Sequence, residues 1–173
     1  MIRRHPAYNC RWRERADRSG GDRDVSESEH YIALQPITEI FTNAGFYAYR
    51  TLDDENRWTV AVDIEEGHID VRIGPDGFDL DVWATSPGLY VDEEDPRRRH
   101  ALERLARISM PGIRRGLLEE NQTLEWVEQE QGLSLRSSFS VPFSAAPRLP
   151  GLAVEQLGEL NRHLRIIERR IGS

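Results

Sequence analysis

Apolar and polar residues alternate with period two through most of residues 58–85, and with helical spacing on either side of that stretch. Trp58, Val60, Val62 and Ile64 interleave with Thr59, Ala61 and Asp63. Ile69, Val71 and Ile73 interleave with Asp70 and Arg72, and Phe78, Leu80 and Val82 with Asp79 and Asp81. Three strands are predicted, joined by turns at Glu66-Gly67 and Gly74-Pro75-Asp76-Gly77, with Phe46–Leu52 as a candidate edge strand before them. A helix is predicted over Tyr31–Ala44 from Ile37, Ile40, Phe41 and Ala44, with Pro36 either in its first turn or kinking it.

A second helix is predicted over Pro96–Ser109, capped by Asp95, with Pro111-Gly112 ending it and a short helical continuation over Ile113–Glu120. Leu124 and Trp126, then Leu133, Leu135, Phe139, Val141 and Phe143, are expected to form a second hairpin around Gln131-Gly132. The final helix spans about Leu152 to Ile171, where Leu157, Leu160, Leu164, Ile167 and Ile171 make one seam, widened by Ile166. The expected fold is α+β: an antiparallel sheet of about five strands packed with helices, in the order α-β-β-β-α-β-β-α.

The segments WTVAVDIEEGHIDVRIGPDGFDLDVWA, the Arg/Leu helix after it, LEWVEQEQGLSLRSSFSVPF and LPGLAVEQLGELNRHL carry a resemblance. In element order they resemble the type III secretion chaperone-like fold, and in particular the YbjN-type family of bacterial sensory-transduction regulators, over about residues 30–171. The resemblance implies a non-enzymatic protein-binding or chaperone domain, usually dimeric, with no catalytic residues to transfer.

Face parity organises the acidic comb between residues 63 and 82. Pairing Ile73 with Phe78 puts the apolar residues on one side, and sets Arg72 opposite Asp79 and Asp70 opposite Asp81. The Glu66-Gly67 turn is expected to pair Ile64 with Ile69, and so Asp63 with Asp70. Asp63, Asp70 and Asp81 would then line up on the outer face, with Trp83 and His68 beside them. A solvated sheet face accounts for such a pattern. The alternatives are a docking surface for a partner protein, for which Asp63, Asp70, Asp81 and Trp83 are the candidate residues, or a metal or acid–base site built from the three carboxylates. His68 is expected on the surface, without the second neutral ligand a metal would want. The run DEEDPRRRH at 92–100 pairs acids with arginines at i, i+4, as a solvated helix start would.

Composition narrows the choice. The net charge is −7, and all 23 basic residues are arginine, which removes lysine-based Schiff-base and P-loop chemistry. Cys10 is the one cysteine, so no internal disulfide or multi-cysteine zinc site can form. No signal-peptide or membrane-span pattern is present, and a reducing cytoplasmic compartment is expected. Residues 1–29 read as a flexible basic arm, with residues 30–173 as a single domain. The arm interleaves Tyr8 and Trp12 with arginines, a mixture that can bind single-stranded nucleic acid, yet the acidic body makes nucleic acid an unexpected partner. The resemblance implies a homodimer that binds an unidentified protein and has no enzyme activity; with the composition, the expectation is a cytoplasmic protein with no cofactor, no metal and no membrane association.

Overall fold

The computed structural model describes residues 24–65, 67–85, 118–127 and 132–171, together with positions 100, 104 and 116. The basic segment 1–23 and most of the helix expected over 96–109 lie outside these residues. So does the DEEDPRRRH run up to position 99. At 118–120 the chain is bend and turn, where a helical continuation was expected.

The first expected helix is two. Helix α1 (Asp24–Ala33) reaches back into the stretch read as an arm, and α2 (Gln35–Asn43) follows after Leu34. Pro36 falls in the first turn of α2, where its missing N–H breaks no bond. Gly45, at φ +90°, ends α2, and its N–H reaches the Thr42 carbonyl at 2.9 Å.

Four strands then form a meander: β1 (Tyr47–Leu52), β2 (Trp58–Ile64), β3 (Gly67–Ile73) and β4 (Gly77–Thr85). The hairpin of β5 (Gln122–Val127) and β6 (Gly132–Pro142) joins through β6. The order is β1-β2-β3-β4-β6-β5, antiparallel throughout. The sheet therefore has six strands, not five. The extra one is β1, whose inward positions include Ala48 and Arg50 and so give a weak apolar signal. A 3₁₀ segment, Phe143–Arg148, leads into the long helix α3 (Leu149–Ile171).

Helices α2 and α3 cover one face, α3 lying chiefly on β4 and β6 and α2 on β1. Ile37 and Phe41 of α2 enter the core with Leu157, Leu160, Leu164 and Ile167 of α3, against Val60, Val62, Ile69, Val71, Leu80 and Val82. These four seam residues of α3 are thus buried on the sheet, while the side chain of Ile171, the fifth expected there, lies outside the described residues. Ile166, expected to widen the seam, is exposed instead.

One register differs from expectation. Ile64 pairs with Gly67, not with Ile69, so Asp63 stands opposite His68 and Asp70 opposite Ala61. The turn has two residues where four were expected. A shift of two preserves face parity, so the apolar pattern could not separate these pairings. Packing separates them: a Cβ on residue 67 would lie 2.1 Å from the Trp83 carbonyl oxygen and 2.5 Å from Leu157 Cδ1. Only glycine fits that strand position beneath α3. The next hairpin has the expected register, with Asp70 opposite Asp81 and Arg72 opposite Asp79.

Candidate functional site

The second face of the sheet is built from cross-strand rows. One row runs Tyr49, Ala61, Asp70, Asp81, Ser138. The next runs Tyr47, Asp63, His68, Trp83, Arg136, Thr123. Strand pleating puts all these side chains on the side away from the α2/α3 core.

This face is not the solvated surface expected from its charges. Asp81 is 1% exposed and Asp70 5%, and Thr59 and Ala61 on the same side are buried too. Burying a carboxylate costs several kcal/mol unless cations and donors surround it. For Asp81 they do. Arg72 Nη2 donates to its Oδ2, Arg136 Nη2 lies 2.8 Å from the same oxygen, and Arg136 Nε and Ser138 Oγ donate to Oδ1. Burial by itself would raise the Asp81 pKa, but the bonds from Arg136, Ser138 and Arg72 outweigh it and hold the carboxyl below its ordinary value.

Arg72 extends the lattice to the first hairpin, where its Nη1 lies 3.6 Å from Asp53 Oδ2. Asp53 in turn organises the β1–β2 turn. Its Oδ1 accepts the backbone N–H of Glu55 and of Arg57, each at 2.9 Å, and its Oδ2 accepts Arg57 Nε at 2.9 Å. Asn56, at φ 59°, supplies the left-handed step that lets the turn close around this carboxylate.

A second node centres on His68. Its Nδ1 lies 2.8 Å from Asp63 Oδ1 and its Nε2 3.0 Å from Asp70 Oδ1. Two carboxylates on two ring nitrogens require both to carry protons. Burial would lower the pKa, but the hydrogen bonds and charges of Asp63 and Asp70 prevail and raise it to about 9. The imidazolium has no lone pair for a metal or for proton abstraction. Trp83 lies beside the ring, centroids 5.4 Å apart, and the Arg136 guanidinium sits over Trp83 at 4.7 Å. Burial and the Asp63 carboxylate push the Tyr49 phenol above its ordinary range.

The three carboxylates of the comb therefore do not converge. Asp63 and Asp70 meet on His68, which is itself mostly buried and not the surface histidine expected. Asp81 turns to Arg72 and Arg136. Trp83 joins the two nodes. Among the described residues, no group of three or more His, Cys, Asp or Glu side chains is placed to hold a metal ion. No described helix is long and apolar enough to cross a membrane.

Sequence reasoning missed Arg136 and Asp53. Arg136 left one signal: it is the sole charged residue in the eleven of β6, where a cation on an otherwise apolar and small-residue strand wants a carboxylate opposite. Asp53 left none, since its role depends on where Arg72 lands two strands away.

A cleft of about 290 Å³ opens on this face, lined by Arg72, Asp79, Asp81, Arg136, Ser138 and Ser140 among others. Ser140 Oγ donates to Asp79 Oδ1 at 2.5 Å. The cleft's charges are paired with one another, so it offers shape and hydroxyls more than net charge. Neither a family model nor a curated protein matches the chain.

Proposed function

We propose that this protein is a non-enzymatic protein-binding module, cytoplasmic and dimeric, with the type III secretion chaperone-like fold that its segments resemble. Its partner lies across the row Tyr47, Asp63, His68, Trp83, Arg136. The observation that carries this reading is the composition and rigidity of that row. Tyrosine, tryptophan and arginine dominate binding hot spots, and here they sit in one line. Trp83 is fixed between His68 and Arg136, so little side-chain entropy remains to be lost on binding. Tyr47, 71% exposed, and Asp63, 37% exposed at its side chain, supply an accessible rim.

The protonation states support the non-enzymatic reading. Asp81 is held ionised, and His68 is held protonated well above neutrality. Neither is poised near neutral pH for acid–base work.

A photo-crosslinking residue at Thr123, the far end of the row, tests the reading in cells. A discrete adduct with another polypeptide is expected, and it should be lost in Trp83→Leu protein whose melting curve shows it folded. The absence of any adduct, or an adduct indifferent to Trp83→Leu, would sink the proposal.

A further inference from the structure

We infer that two copies of this chain join edge to edge through β1, antiparallel about a two-fold axis at Tyr49, so that the two six-stranded sheets become one. This rests on the dimeric reading above and names its interface.

Strand β1 is an edge strand with no second neighbour among the described residues. Exposed edges normally carry a bulge, a proline or an outward charge that discourages pairing. Strand β1 has none of these. Its register against β2 is unbroken over six residues, and it contains no proline. Its single charge, Arg50, is turned back into its own fold. There Nη1 donates to the Tyr31 carbonyl at 2.9 Å and the guanidinium lies 3.7 Å above the Tyr31 ring. The opposite edge, β5, carries an exposed Glu125.

The backbone groups available on β1 follow from the turn beside it. The Asp53 N–H bonds the Arg57 carbonyl at 2.9 Å. Antiparallel ladders alternate, so Thr51, Tyr49 and Tyr47 also spend their N–H and C=O groups on β2. Those of Ala48, Arg50 and Leu52 therefore point outward. A second strand must match them in register and in face.

The strand's own sequence does both. With Tyr49 opposite Tyr49 of the other copy, Ala48 falls opposite Arg50 and Tyr47 opposite Thr51. Each pair shares a face, as antiparallel pairing requires. The small Ala48 makes room for Arg50, and no two arginines meet. The rings of Tyr47 and Tyr49, already 5.5 Å apart, continue across the seam on the charged face. A foreign peptide adding to an edge gains specificity from pockets beside it. The described cleft is lined from β3, β4 and β6, away from β1. The edge offers backbone bonds and aromatic rings, which a second copy of the same strand complements.

Cysteine scanning in full-length Cys10→Ser protein tests the seam. At a non-hydrogen-bonded antiparallel pair the Cα atoms lie about 4.5 Å apart, within disulfide reach. Tyr49→Cys should oxidise to a covalent dimer. Tyr47→Cys and Thr51→Cys should each remain uncrosslinked alone, yet crosslink to each other when the two proteins are mixed. Ala48→Pro removes an outward N–H and leaves the β1–β2 bonds intact. It should raise the dimer dissociation constant in sedimentation at least tenfold without lowering the melting temperature of the monomer. A dimer that survives Ala48→Pro, or that sediments normally while Tyr49→Cys fails to crosslink, would overturn the β1 seam alone. A chain monomeric at every concentration would overturn the seam and the dimeric half of the functional reading, while the Thr123 adduct decides partner binding separately.

Discussion

Both faces of this sheet hold buried side chains, but they are stabilised by different physics. The α2/α3 face is held by apolar area removed from water, a term that tolerates small changes in angle and distance. The other face is held by Asp81 between two arginines and His68 between two aspartates, where stabilisation depends on every partner being in place. The first kind of face degrades gradually when atoms are removed. The second fails when one charge is left alone.

That contrast can be broken most sharply at Asp81. Asp81→Ala leaves half-buried Arg136 without its carboxylate and Arg72 with only the longer contact to Asp53, and is expected to cost about 3–5 kcal/mol in urea melts. Replacing Arg72, Asp81 and Arg136 together by Met, Leu and Met should recover most of that loss, because the desolvation of the ions disappears with them. If single and triple variants lose the same stability, the lattice is not acting as a coupled set.

The apolar face gives the next effect. Leu160→Ala, at a fully buried position of α3, should cost about 2–5 kcal/mol and leave the oligomeric state unchanged. A folded monomer would instead place that seam between subunits.

Next comes pH. The folded pKa of His68, about 9, lies above its ordinary 6.5, so its contribution is complete below pH 6.5 and is lost as pH rises through about 9. On the order of 3 kcal/mol should disappear across that window. His68→Gln should flatten this part of the stability profile. An imidazole titrating near 6.5 by NMR would contradict the two-carboxylate geometry.

The smallest effect is expected at the rim. Tyr47→Ser should change monomer stability by no more than about 0.5 kcal/mol, since the ring is largely in solvent. A larger loss would mean that the rim is packed more like the two faces than like a surface.

The sequence disclosed these faces unequally. Alternation assigned Val60, Val71 and Leu80 to one side and Asp70 and Asp81 to the other, because a period of two fixes parity. It also placed the α3 seam, whose leucines have no other way to be buried. It could not decide between pairings that differ by two residues, so Asp63 met His68 and not Asp70. That choice depends on Leu157 standing over Gly67, a contact between residues ninety apart. Charge alternation also suggested solvent, wrongly. Asp70 and Asp81 are buried because His68, Arg72 and Arg136 neutralise them, and two of those three cations come from the same hairpin as the aspartates. Arg136 arrives from β6, which no local pattern ties to β4.

The distance between Asp81 and Arg136 along the chain, 55 residues, also bears on time. Strands β3 and β4 are joined by a short turn and can pair early, bringing Arg72 to Asp81 at once. Pairing of β6 with β4 brings together residues 55 apart and is slower and comes later. The second arginine therefore reaches a carboxylate already half neutralised, and its side-chain bonds close only once β6 has docked, after that slow step. Asp81→Ala is accordingly expected to speed unfolding far more than it slows refolding in stopped-flow chevrons. On that account the charged face acts as a latch: it sets how long the native sheet persists, and has little influence on how quickly it forms.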